Sequence, residues 1–219
     1  IYALTGTTDY QYLMYYPIDE SLQKIFWVGF FASFAVKVPM LPFHIWLPEA
    51  HVEAPTAGSV ILAGILLKLG SYGLIRFSLP LFPIATIYYT PFIYTISALA
   101  VIYTSLTAIR QTDMKRIIAY ASVAHMNLIV IGIFTLNAQG IEGAIIQQLA
   151  HGLVSSALFF CIGILYDRHH SRMVNYYGGL SHNMPIFISF FMFFTMANIA
   201  FPLSANFVGE FLILAGTFQ

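Results

Sequence analysis

The sequence predicts an all-α integral membrane protein, a polytopic helical bundle of about six membrane elements of which two are broken. Three observations predict it. The 219 residues are 59% hydrophobic and only 8% charged, with a mean hydropathy of +0.79, whereas ordinary soluble domains carry about 25% charged residues. Apolar runs of the ~20 residues needed to cross a hydrocarbon core recur along the chain. No strand-like alternation convincing enough for a membrane barrel accompanies them.

Residues 1–23 are mixed and tyrosine-rich and read as a loop before the first span; residues 24–219 form the bundle. The first element, 24–49, runs to about Pro39 and continues, broken, from Pro42. Pro39, Pro42 and Pro48 lack the N–H groups that the carbonyls of Ala35, Val38 and His44 would receive in a helix. The next four elements, 55–77, 84–109, 114–135 and 140–166, are apolar runs of spanning length. The sixth, 184–219, is interrupted at Pro202, which frees the carbonyl of Asn198, and resumes at Asn206. The two broken elements lie five apart and so run in opposite directions. Interrupted apolar segments in antiparallel halves point to an inverted-repeat transporter and its ion path.

The loops supply an orientation. Arg110, Lys115 and Arg116 fall between the third and fourth elements, and Arg168 and Arg172 between the fifth and sixth. Two spans separate these loops, so they share a face, together with the 49–53 connection. The opposite loops carry little beyond Arg76 and Glu142. By the excess of Lys and Arg, the shared face is cytoplasmic, or the matrix side in a mitochondrion.

Several function classes are excluded. Nine Lys+Arg balance nine Asp+Glu, so no basic surface attracts nucleic acid. Cys161 is the single cysteine and reads as a small packing residue, with no disulfide and no cysteine metal site. No two span histidines stand at i, i+4 spacing, and no glycine-rich phosphate loop sits in strand context. The chain begins with isoleucine and shows no cleavable leader. It reads as part of a longer polypeptide or as one piece of a split one.

Five ionisable residues lie well inside apolar runs: Lys37, Lys68, His125, His151 and Glu210. An uncompensated charge at a helix centre costs about 2.5–3.5 kcal/mol on insertion scales. Lys24, Arg76 and Arg110 stand near segment ends, where a long side chain snorkels to the headgroups. Lys68 is too deep for that escape. His151 shares a helix face with Gln147 and Ser155, a polar stripe of roughly 12 Å. Such a stripe suits a file of waters and protons, or else a satisfied hydrogen-bond cluster between helices. His125, with Ser122 one turn earlier, is open to the same two readings. His44 and His51 flank the first break and could cap, pack or relay, while His169, His170 and His182 read as surface residues. The charge state of a buried lysine depends on whether a carboxylate stands nearby, so protons are the natural cargo.

The run KVPMLPFHIWLPEAHVEAPTAGSVILAGILLK, with IAYASVAHMN, AHGLVSSALF, LYDRH, YYGGL and NFVGEFLIL, closely resembles the antiporter-like membrane subunits of respiratory complex I, the mitochondrial NADH:ubiquinone oxidoreductase. The resemblance covers essentially the whole chain. It implies a proton-pumping subunit of the mitochondrial inner membrane, in an antiporter-like inverted-repeat fold. NADH, FMN, iron–sulfur clusters and ubiquinone would belong to partner subunits, with no cofactor in this chain. Partners would be the other membrane-arm subunits, neighbouring antiporter-like subunits among them, and the missing part of the subunit itself. Position by position, Lys37 matches a lysine paired with a glutamate on an earlier helix, which this chain lacks. Lys68 matches the central channel lysine, and His44 the histidine beside the helix break. His151 matches the histidine linking two half-channels, His125 lies along the same axis, and Glu210 matches the acid of the exit half-channel. One departure is local: where the family has a Pro-Gly link, this chain reads Pro202-Leu203. Three rival readings remain: a cation/proton antiporter subunit of the related Mrp type, a chloroplast or bacterial relative of complex I, and a non-pumping structural fragment.

Overall fold

A computed structural model describes all 219 residues as a helical bundle without strands. The helices are α1 (Tyr2–Thr5), α2 (Tyr10–Tyr15), α3 (Glu20–Lys37), α4 (Trp46–Glu53), α5 (Thr56–Leu81), α6 (Pro83–Ile109), α7 (Met114–Phe134), α8 (Ala138–His169), α9 (Leu180–Asn183), α10 (Pro185–Asn198) and α11 (Ala205–Thr217). By length and composition, α5 to α8 can each cross a membrane. The breaks fall where the prolines lie, between α3 and α4 and between α10 and α11.

Local chemistry sets the boundaries. Asp113 accepts the Lys115 N–H at 2.8 Å and starts α7, and Asn137 accepts the Gly140 N–H at 2.8 Å and starts α8. Ser204 caps α11 through the Phe207 N–H at 3.2 Å. These side chains satisfy N–H groups that a helix leaves unpaired. The stretch 1–23, expected to be a loop, instead carries α1, α2 and the start of α3. Asp9 caps α2 and Asp19 caps α3, and Glu20 pairs with Lys24 at 2.8 Å. Helices α1 and α2 are too short to register as membrane elements. Helix α2 is pinned by Tyr10, whose hydroxyl donates to the Arg76 carbonyl and whose ring meets Phe77 edge-on at 5.4 Å.

The core is aromatic. Trp27 stacks between Phe31 at 4.8 Å and Tyr89 at 4.6 Å, and its indole N–H donates to Thr86 at 3.1 Å. This joins α3 to α6 and gives the buried indole the partner it needs.

The basic loops do share one face. Arg116 pairs with Glu49 at 3.0 Å, Arg172 lies 3.5 Å from Asp113, and Lys115 Nζ donates to the Ala54 carbonyl at 2.9 Å. Backbone bonds tie Met114 to Arg172 and Val174 to Thr112, each at 3.0 Å. The ends of α4, α6 and α8 therefore meet at one surface.

The first break does not leave its carbonyls beside Lys37 as free as the prolines alone suggest. The Ala35 carbonyl receives the Met40 N–H at 3.0 Å, and the His44 carbonyl the Leu47 N–H at 3.2 Å. Trp46 donates to Val36 at 3.0 Å and Asn127 to Pro39 at 3.2 Å. Irregular backbone at membrane depth needs such substitutes. Helix α5 holds two irregularities, π-helical stretches at Leu62–Leu66 and Leu74–Ser78; the second contains Arg76, whose carbonyl Pro80 cannot serve and which receives the Tyr10 hydroxyl instead. Such bulges often mark functional positions.

At the second break, Ala200 and Leu203 adopt left-handed φ values of 57° and 82°. Leu203 stands where the resemblance implies glycine, and its side chain is fully exposed. A side chain in this region costs roughly 1–2 kcal/mol, which glycine avoids. Leu203→Gly is therefore expected to raise the thermal unfolding temperature, with a net gain of about 0.5–1 kcal/mol after the entropy of glycine is subtracted. Calorimetry of the purified assembly checks this.

Candidate functional site

Lys68 lies in the α-helical segment between the two π-helical stretches of α5, and it is buried. Its ammonium donates to the Ala63 carbonyl, inside the first π-helical stretch. Opposite stands α8, and two glycines govern how near it comes. A Cβ on Gly152 would lie 3.1 Å from the Gly64 carbonyl and 3.4 Å from Lys68 Cε; one on Gly64 would lie 2.7 Å from Ser156 Oγ. Gln148 on α8 donates to the Lys68 carbonyl at 3.4 Å. A cleft of ≈ 640 Å³ opens here, lined among others by Lys68, Tyr72, Gln148, Gly152 and Ser156.

Deeper between α7, α8 and α11, His151 is fully buried, and its ring lies 5.1 Å from that of His125. Lys68 approaches the same turn of α8: a Cβ on Gly152, the residue after His151, would lie 3.7 Å from Lys68 Nζ. His125 Nδ1 lies 3.0 Å from Glu210 Oε1, and Gln147 donates to the same oxygen at 3.0 Å. The four residues Lys68, His151, His125 and Glu210 thus form one row.

Several buried atoms along this row have no protein partner: both ring nitrogens of His151, Gln147 Oε1 and Ser122 Oγ. A buried polar atom left without any partner costs about 1–3 kcal/mol, and in polar, roomy sites water commonly fills the role. The His151 ring makes no hydrogen bond within the chain. Ser155 departs from the expected stripe: its hydroxyl donates to the His151 carbonyl at 2.7 Å.

Glycine also sets the position of Glu210. A Cβ on Gly209 would lie 2.8 Å from Gln147 Cα, one on Gly143 2.8 Å from the Ile213 nitrogen, and one on Gly216 2.7 Å from the Gly140 nitrogen. Helices α8 and α11 pack backbone to backbone, as small residues allow in membranes. Residue 210 is thereby held beside residue 147.

Two expected site residues stand apart. Lys37 is the last residue of α3 and is exposed. It makes no ion pair within the chain, whose salt bridges involve other residues. His44 is buried edge-on against Tyr103 at 5.6 Å and does not join the row. Sequence reasoning missed Gln148 and treated Lys115 as an ordinary loop cation, whereas Lys115 is buried. The available signal for Lys115 was its place one residue inside α7, after the capping Asp113.

The whole chain, residues 1–219, matches the family model described as NADH:quinone oxidoreductase/Mrp antiporter, transmembrane. It is 66% identical over 219 residues to NADH-ubiquinone oxidoreductase chain 4 of Marchantia polymorpha, covering 100% of this chain and 44% of that protein. In three dimensions it is similar to a chain of respiratory complex I from Thermus thermophilus with bound NADH, with TM-score 0.93 and 30% identity over 99% of this chain and 47% of that one. It also shares its fold with a chain of the Mrp complex from a Dietzia species, with TM-score 0.92 at 22% identity over 99% of this chain and 40% of that one. The chain spans less than half the length of the curated relatives it matches.

Gly209→Val is expected to push α11 off α8, break the Gln147–Glu210 hydrogen bond and destabilise the bundle by about 1–3 kcal/mol, as overpacking does. Gly209→Ala should lower the unfolding temperature less. Unchanged thermal unfolding in the valine variant would contradict the close packing.

Proposed function

The chain belongs to the NADH:quinone oxidoreductase/Mrp antiporter transmembrane family, and from that premise we propose that it is part of a proton-translocating membrane-arm subunit of respiratory complex I in the mitochondrial inner membrane. The observation that carries the reading is the alignment of His151, His125 and Glu210 through an apolar bundle, with Lys68 set against α8 beside Gly152. Oxidation of NADH and reduction of ubiquinone take place in partner subunits, which hold the flavin and iron–sulfur clusters. Other membrane-arm subunits and the remainder of this subunit flank the chain.

In this reading Lys68 is the switching site. It takes a proton from the basic, matrix-side face and gives it up toward His151 when its electrostatic surroundings change. His151 and His125 relay the proton to Glu210, and the side-chain amide of Gln147 holds that carboxylate in line. Lys37 forms half of an ion pair whose carboxylate lies outside this chain; opening or closing that pair gates Lys68. His44 orients the first break rather than carrying protons. The lysine, imidazoles and carboxylate each exchange a proton without other chemistry, which suits a relay.

The fold likeness to a chain of the Mrp complex keeps a cation/proton antiporter subunit as the second reading. A sodium-dependent proton flux would favour it.

Lys68→Met in the full-length subunit of the assembled complex tests the proposal. Proton translocation coupled to quinone reduction is expected to fall by about 100-fold, the scale of a lost proton-transfer group. Pumping at the parent rate in an assembled Lys68→Met complex overturns the reading.

A further inference from the structure

We propose that His51 passes protons between the basic face and Lys68, so that the row starts one imidazole nearer the surface. The proposal rests on the reading of the chain as a proton path. His51 lies in α4, where that helix meets the basic loops: the carbonyl of its neighbour Val52 receives Arg172, and that of Ala54 receives the Lys115 ammonium at 2.9 Å. Its ring is fully buried and stacks on Phe159 at 4.4 Å, with 10° between the planes. Phe159 is eight residues beyond His151 on α8, about 12 Å along the axis, in the direction of Arg168. The imidazole therefore sits between the depth of His151 and the charged surface.

Its chemistry is unspent. Neither ring nitrogen has a partner in the protein; the hydrogen bond it receives, from Ser59 at 3.2 Å, goes to its backbone carbonyl. A residue needed only to fill the slot against Phe159 could be phenylalanine, with no polar group to bury. Toward the face, the Lys115 ammonium is bound at the Ala54 carbonyl, three residues along from His51; toward the interior, Phe159 packs in one buried cluster with Ala63, whose carbonyl receives the Lys68 ammonium. Stacking fixes the ring plane and leaves both nitrogens at its edge for hydrogen bonding.

The step balances simply. Neutral His51 accepts a proton from water at its bare nitrogen and releases the proton on its other nitrogen, through water, to the neutral amine of Lys68. Lys68 becomes an ammonium and the imidazole is neutral again as the other tautomer, which a ring flip or the reverse exchange resets. No other bond changes.

The test uses the full-length subunit in the assembled complex, in sealed membrane vesicles. His51→Phe keeps the stack on Phe159, and His51→Gln keeps polarity without a proton that exchanges in this range. Both are expected to assemble, to lose about tenfold in coupled proton translocation, and to show a larger solvent deuterium isotope effect than the parent. Parent-like pumping in either assembled variant overturns the proposal. So does failure of both to assemble, which is the behaviour of a packing residue. Lys68→Met is measured alongside. If it pumps normally, the proton-path reading itself fails; if only it loses pumping, the His51 assignment alone falls.

Discussion

Glu210 Oε1 receives Gln147 Nε2 and faces His125 Nδ1, each at 3.0 Å, and this shared oxygen joins α7, α8 and α11 at the depth of the membrane. A carboxylate among apolar helices is costly unless its oxygens are occupied. The contact is reached only because Gly209 and Gly143 let two backbones nearly touch. A larger side chain at either position would move the carboxylate away from both of its partners. The charged row therefore rests on the absence of side chains, and the packing and the chemistry of this bundle are one constraint.

The same principle recurs at Lys68. Gly64 and Gly152 bring α5 against α8, and the π-helical stretches either side of the lysine distort α5 just where its side chain turns inward. The ammonium is met by a backbone carbonyl of its own helix rather than by a carboxylate. The proline breaks do different work. The first is largely re-bonded by Met40, Leu47, Trp46 and Asn127, and at the second Asn206 donates to the Ala197 carbonyl and the Phe201 N–H to the Met196 carbonyl, so they act as fixed bends that aim α4 and α11.

Much of this was legible in the sequence. Ionisable residues in apolar runs are so costly that Lys68, His125, His151 and Glu210 announced themselves, and the breaks followed from the geometry of proline. The helical bundle itself followed from hydropathy, and four helices are long and apolar enough to cross a membrane. What was not legible depends on contacts distant in the chain. The first π-helical stretch carries no proline and no change of composition. The pairing of Gly209 with Gln147 joins residues 62 positions apart. The burial of Lys115 depends on the Ala54 carbonyl, supplied by a different helix end. The isolation of Lys37 could be anticipated only through the resemblance, which implies a carboxylate partner outside this chain.

The central claim is that the row is one path rather than a set of separately tolerated polar residues. A double-mutant cycle of Lys68→Met and Glu210→Gln on coupled proton translocation in the assembled complex tests it most directly. Residues acting as a unit are strongly non-additive. The account predicts that the double variant is no worse than the weaker single variant. Losses that multiply, each residue contributing independently of the other, would contradict it.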